Sequence, residues 1–196
     1  MAKLSFRYST MNAGKSLELI RTYHNYMELK KKPAALMPGI FGSRIRSRVG
    51  IGIDALPFDG EYSFIQDSLG ILKDADCILI DEAQCLTKAQ VVELHRIAIF
   101  QDIPVICYGL RTNFKGEPFE GSVMLSALAD ELQELPTLCH CGKKARMVLR
   151  TVNGRVVTEG DLIVVKGTNE RVEYHSVCGK HFYLRQPYKA ENRPAG

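Results

Sequence analysis

Three groups of residues have the types and spacing to do chemistry. The first is S-T-M-N-A-G-K-S: Ser9, Thr10, Met11, Asn12, Ala13, Gly14, Lys15 and Ser16. It closes as a phosphate-binding loop closes. Backbone N–H groups cradle phosphate oxygens, the lysine reaches the terminal phosphates, and the hydroxyl ligates Mg2+. The full pattern begins with glycine, and here that position is Ser9. The second group is D-E-A-Q: Asp81, Glu82, Ala83 and Gln84, at the end of the apolar run C-I-L-I. An aspartate there can hold Mg2+ directly or through water, and a second carboxylate can accept a proton from an attacking hydroxyl as general base. The third group joins C-H-C at 139–141 to C-G-K-H at 178–181. Cys139, Cys141, Cys178 and His181 form a closed Cys3His set, the form of structural Zn2+. His140 is a rival ligand, expected to point away because adjacent residues in a knuckle diverge.

Each group also has a plain reading. A G-K-S triplet is cheap, a buried strand can end in surface carboxylates, and thiols can lie beside an unrelated histidine. The first two groups gain weight from occurring together, each at the end of a strand.

The elements that must position them follow from periodicity. Leu4, Phe6 and Tyr8 alternate with Lys3, Ser5 and Arg7, a strand signature, and the loop after them opens a helix. Ile20, Tyr23 and Met27 give that helix an apolar stripe, and three lysines with Pro33 end it. Ala34 to Met37 read as a second strand, and residues 38–53, rich in Gly, Ser and Arg, as a mobile loop. Cys77 to Ile80 form a buried strand. Thr87 to Gln90 are a capping box opening a helix, and Pro104 to Leu110 are a further strand. That alternation predicts an α/β fold, a parallel sheet with helices on both faces. Beyond Pro136 the character changes. V-N-G-R-V signals a hairpin, no helix of any length is evident, and a core-poor segment needs a metal staple. The expected divisions are 1–136, nucleotide-binding; 137–185, a small zinc-binding β-rich domain; and 186–196, a loose tail.

The chain has 196 residues, 45% hydrophobic and 24% charged, enough for one domain with an appendage. A net charge of +4 suits an anionic substrate and is too mild for a protein that coats nucleic acid. No run approaches the ~18 apolar residues that span a membrane. M-A-K-L-S-F lacks an export signal, and the six cysteines read as reduced thiols, some holding metal; a cytoplasmic location is expected.

Together, S-T-M-N-A-G-K-S, L-I-D-E-A-Q, Y-G-L-R-T-N-F and Y-H-S-V-C-G-K-H resemble the cytosolic-type (type II) thymidine kinases, nearest their bacterial members, in order from about residue 3 to about residue 184. The resemblance implies a RecA-like P-loop domain and a zinc-bearing domain whose lasso loop closes over the nucleoside. It implies transfer of the ATP γ-phosphoryl to the 5′-hydroxyl of thymidine or deoxyuridine. Glu82 then matches the catalytic base, and Asp81 the magnesium-associated acid. Met11, Leu110 and Phe114 match the thymine pocket, Tyr174 the tyrosine beside the nucleoside, and Ile163, Val164, Val165, Lys166 and Gly167 the lasso whose backbone bonds the base. Cys139, Cys141, Cys178 and His181 match the zinc ligands. The implied cofactors are Mg2+ with ATP and a structural Zn2+. The implied partners are ATP, thymidine and, as feedback inhibitor, dTTP, within a homotetramer and without nucleic acid or membrane. Three stretches differ from the family: K-G-T-N-E-R-V-E-Y is longer before Tyr174, Cys85 stands where some members carry an aromatic, and G-S-R at 42–44 replaces an acidic pattern. The alternative reading is a RecA-like nucleic-acid-dependent ATPase, since D-E-A-Q also resembles a DExx box. Such motors need a second RecA-like domain or ring partners, and this chain has no room for another such domain.

Overall fold

A computed structural model describes residues 1–162 and 170–188. In chain order β1 is Leu4–Ser9, α1 Lys15–Glu28, β2 Pro33–Pro38, β3 Arg44–Arg46, β4 Gly52–Asp54, β5 Leu56–Phe58 and α2 Phe64–Ser68. Then come β6 Cys77–Ile80, α3 Lys88–Gln101, β7 Val105–Leu110, α4 Glu120–Leu128 and β8 Glu131–Glu134. The last elements are β9 Met147–Val152, β10 Arg155–Val157, β11 Val172–Val177 and α5 Gly179–Tyr183.

Contacts divide these residues into two compact units. The first holds a six-stranded sheet in the order β5-β2-β6-β7-β1-β8, with β5, β2, β6 and β7 paired parallel in succession and β8 parallel to β1. Its central strands are buried on both faces, and alternation along each strand sorts the residues between them. Ala35, Met37, Cys77 and Leu79 pack with Leu19 and Ile20 of α1. Leu36, Ile78 and Ile80 pack with Val91, Leu94, Ile97 and Ala98 of α3 and Leu125 of α4. Helices therefore cover both faces, as the sequence pattern predicts.

Local signals set the ends. Thr87 Oγ1 accepts from the Gln90 N–H at 3.3 Å, and Gln90 Oε1 accepts from the Thr87 N–H at 3.0 Å, completing the capping box. Four departures from expectation have physical causes. Met27, in the last turn of α1, is 49% exposed, and the inward stripe runs instead through Leu19, Ile20, Tyr23 and Tyr26. Residues 38–53 are not a plain loop: β3 and β4 form a hairpin in which Ile45 and Ile53 face each other and bury beside α1. The polar edge strand β8 has no apolar pattern and is defined by its pairing with β1. In the second unit α5 adds one helical turn.

That second unit gathers Ser9–Ala13, Thr112–Pro118 and the chain from Pro136. Its antiparallel sheet has the order β10-β9-β11. Asn153 (φ 50°) and Gly154 (φ 79°) make the tight turn between β9 and β10 that V-N-G-R-V foretells. Cys139, Ala145, Leu149, Val177, Cys178 and Phe182 form its small core. Ile163–Gly167 and the end of the tail, 189–196, lie outside the described residues. Among the described residues no helix is long and apolar enough to cross a membrane.

One close approach is decisive for α4. A Cβ at Gly121 would lie 2.5 Å from the Leu86 carbonyl oxygen and 3.0 Å from that of Ala83. Gly121→Ala should destabilise the fold by about 1–3 kcal/mol, read as a lowered urea midpoint. Gly70→Ala, whose Cβ would meet nothing closer than 3.7 Å, is the control expected to show no such loss.

Candidate functional site

The phosphate-loop sequence begins where β1 ends. Ser9 is buried, and its hydroxyl donates to the Thr10 carbonyl at 2.7 Å. Left-handed backbone occurs at Asn12 (φ 65°) and Gly14 (φ 79°), not at Ser9. The missing first glycine therefore removes no conformation that this loop uses, and asparagine tolerates the one that falls on it. Gly14 caps α1, and its carbonyl accepts from the Glu18 N–H at 2.9 Å. The helix is fixed from below: Arg7 of β1 donates to Glu18 at 2.5 Å and to the Tyr108 hydroxyl of β7 at 3.0 Å. Lys15 is only 7% exposed. Burial lowers its pKa, while the charges of Glu82 and Asp81 oppose that shift.

β6 delivers the carboxylates. Asp81 is 3% exposed; one oxygen accepts from the Ser16 hydroxyl at 3.0 Å and the other from the Glu82 N–H at 3.0 Å. Burial, then the charge of Glu82, pushes its pKa up to about 6; Ser16, the Glu82 N–H and Lys15 pull the other way. Glu82 is left-handed (φ 50°, ψ 40°), a sparsely populated conformation for a non-glycine residue. Its carboxylate accepts from Gln84 Nε2 at 2.5 Å, and Gln84 Oε1 accepts from the Leu110 N–H at 3.0 Å. A Cβ at Gly109 would lie 3.0 Å from both Gln84 N and Gln84 Oε1, so glycine makes room for this strut. The Leu110 carbonyl accepts from Ser122 at 2.5 Å. Ala83 lies in the apolar core, and Cys85 beside it has its thiol pushed up to about 12 by burial.

The second unit carries the remaining residues. The Met11 carbonyl accepts from the Ser176 hydroxyl at 2.5 Å. Phe114 is 2% exposed, in a loop that Asn113 builds by accepting from the N–H groups of Lys115 and Glu117 at 2.9 and 3.0 Å. Arg150 of β9 lies over the Phe114 ring at 3.7 Å, and Tyr174 of β11 is its partner across the strand pair. Asn113, Arg150 and Ser176 are absent from the sequence-based set. The one available signal was an arginine inside the apolar strand M-V-L-R-T-V.

Cys139, Cys141, Cys178 and His181 place their ligand atoms within 4.8 Å of one another. The Cys141 and Cys178 sulfurs are 3.8 Å apart, and His181 Nδ1 lies 3.2 Å from Cys139 Sγ and 3.5 Å from Cys178 Sγ. Tetrahedral sulfurs at ~2.3 Å from zinc would be about 3.8 Å apart, so the cluster can hold a metal ion of that kind. The backbone N–H of His181 lowers the pKa of Cys178 against the desolvation that raises it. His140 does not turn away from the cluster. Its ring stacks on His181 at 4.2 Å, and the turn that follows has Gly142 in the left-handed region (φ 79°).

A family model described as thymidine kinase matches residues 2–182. A thymidine kinase of Chromobacterium violaceum is 43% identical over 188 residues, covering 93% of this chain and 99% of that protein. One of Mannheimia succiniciproducens is 48% identical over 189 residues, covering 93% of this chain and 95% of that protein. Among solved structures, the Pif1 helicase of Candida albicans gives a TM-score of 0.41 at 16% identity, covering 68% of this chain and 36% of that one.

Two measurements follow from this geometry. A raised folded-state pKa at Asp81 means that its ionisation opposes folding. The associated stability is present below pH ~4 and is lost as pH rises through about 6. Asp81→Asn should therefore raise the melting temperature of the ligand-free protein at pH 7 and leave it nearly unchanged at pH 4. For the sulfur cluster, elemental analysis should find one metal ion per chain. Cys178→Ser should lose that ion and lower thermal stability together; a metal-free protein of full stability contradicts the assignment.

Proposed function

The chain belongs to the thymidine kinase family, and from that premise we propose that it transfers the γ-phosphoryl group of ATP to the 5′-hydroxyl of thymidine or deoxyuridine, giving ADP and the nucleoside monophosphate, dTMP from thymidine. The observation that carries this reading is the joining of Lys15, Ser16, Asp81 and Glu82 at one end of the sheet. Lys15 neutralises terminal phosphate oxygens, and the helix start and loop N–H groups bind the rest. Glu82, held by Gln84, takes the proton of the 5′-hydroxyl as the oxygen attacks phosphorus. Ser16 and Asp81 offer the hard oxygen donors that suit Mg2+, which when bound neutralises charge on the β- and γ-phosphates. Met11, Leu110, Phe114 and Tyr174 hold the nucleoside, with the backbone of residues 163–167 reading the base edge.

The soft Cys3His donor set suits zinc. With four protein ligands no position is open for substrate, so its role is in folding. The division into a nucleotide-binding domain to about residue 136 and a zinc-binding domain to about 185 belongs to the same proposal. So do a homotetramer, a cytoplasmic location and feedback inhibition by dTTP, which combines the substrate's base with a phosphate tail.

One assay tests the reading: labelled ATP with thymidine, deoxyuridine and deoxycytidine, with and without Mg2+, for wild type and Glu82→Gln. Deoxyuridine lacks only a methyl, a loss of about 0.8 kcal/mol, so it should serve nearly as well as thymidine. Deoxycytidine reverses donor and acceptor at two edge positions, about 1–3 kcal/mol each, and should serve poorly. Glu82→Gln should lower kcat by about 10²–10⁴-fold while ATP still binds. Turnover of Glu82→Gln within a few-fold of wild type removes Glu82 from the role of base. Nucleic-acid-stimulated ATP hydrolysis without nucleoside phosphorylation defeats the whole proposal.

A further inference from the structure

We propose that Arg150 is a positioning residue for nucleoside binding: its guanidinium, anchored on the turn Glu159–Asp161, fixes the Phe114 ring. This rests on the reading of Phe114 as a residue that holds the base. Arg150 is 4% exposed, on a strand whose neighbours Val148 and Leu149 are buried apolar residues. A buried guanidinium is unfavourable unless its donors and charge are met, so its partners reveal its task. They are specific. Its central carbon lies over the Phe114 ring, 3.7 Å from the centroid, close enough for a cation–π contact. Nη1 donates to the Asp161 carbonyl at 2.5 Å and Nη2 to the Glu159 carbonyl at 2.7 Å. Nε has no partner among the described residues, and no carboxylate pairs with the group there. The charge is thus committed to one aromatic face and one turn.

The turn is shaped to receive it. Gly160 lies between the two accepting carbonyls at φ +109°, a conformation few side chains adopt, and a Cβ there would come 2.6 Å from Nη2. Only glycine lets both carbonyls face the same guanidinium. Across the strand pair Arg150 is in register with Tyr174, so the two side chains leave the same face of the sheet. Two residues assigned to the base are thereby referred to one side chain, Phe114 by contact with its ring and Tyr174 by register, and two hydrogen bonds to the turn hold that side chain in place. Lysine cannot replace it, because a single ammonium does not stack flat while donating to two separated carbonyls.

Steady-state kinetics of the zinc-loaded full chain test this, with metal content and melting temperature measured for every variant. Arg150→Met and Arg150→Lys should each raise KM for thymidine by about tenfold or more, as a lost ~1.4 kcal/mol of binding would. kcat at saturating thymidine and KM for ATP should stay within about threefold. Gly160→Ala leaves Arg150 in the sequence but displaces it, and should give the same signature. The last variant decides alone if Arg150→Met fails to fold. KM for thymidine unchanged in Gly160→Ala, recovery of wild-type KM by Arg150→Lys, or parallel changes in KM for ATP and kcat each overturn the assignment. A wild type that phosphorylates no nucleoside overturns it together with the function on which it rests. Thymidine phosphorylation by wild type with an unmoved KM in the variants overturns it alone.

Discussion

The hydrogen bond from Ser16 to Asp81 is the constraint on which the rest of the first unit depends. It joins the start of the helix after β1 to the end of β6, two strands separated in the sheet by β7. Only a parallel arrangement brings such ends to one edge, and only strands buried on both faces leave that edge dry. The dryness shows in two opposite shifts with one cause: burial lowers the Lys15 pKa and raises that of Asp81. Each group is less stable charged than it would be in water. A phosphate with its cation, as proposed for this site, would favour the charged form of both groups.

Glu82 is braced by its neighbours in a related way. Its left-handed backbone is unfavourable locally and persists because neighbouring bonds determine it: the Glu82 N–H goes to Asp81, and the carboxylate to Gln84. Gln84 is in turn held by the Leu110 N–H at the end of β7. A general base, the role proposed for Glu82, is effective when it need not search for its position. The chain from Leu110 through Gln84 to Glu82 supplies that fixity using a side chain that does not titrate. Gly109 has its place in this argument through the space it leaves, not through flexibility.

Much of this was legible in the residues. β1, β2, β6, β7, the capping box at Thr87 and the hairpin at Asn153-Gly154 are local, and local signals report them. β8 was not legible, because E-L-Q-E is an exposed edge whose identity comes from pairing with Ser5 to Tyr8, over a hundred residues away. The β3–β4 hairpin was hidden for a related reason: one buried isoleucine per strand is too short a pattern to read, although Ile45 and Ile53 meet directly in the fold. The Cys3His cluster was legible from residue type and spacing. The stacking of His140 on His181 was not, since it depends on the folded path of the chain. Gln84 and Arg150 illustrate the same limit at the site. Their types suggest contact with ligand or solvent, and only three-dimensional partners show that each holds another residue in place.

In the second unit, folding and recognition share one strand. β11 carries Tyr174 and Ser176 on one face, and Cys178 caps the helix that follows it. Ser176 bonds the Met11 carbonyl, Tyr174 is paired in register with Arg150, and Cys178 belongs to the metal cluster. The apolar core beneath them is small, and two of its six buried members are cysteines of the Cys3His cluster. Such a core is too small to hold β11 in register by hydrophobic burial alone, so the β9–β11 pairing carries that task, and a metal ion bound at the cluster would add to it. A metal so bound would take no part in the proposed chemistry, yet it would steady the strand that carries Tyr174, Ser176 and, through pairing, Arg150, whereas Lys15, Asp81 and Glu82 stand at the ends of α1 and β6.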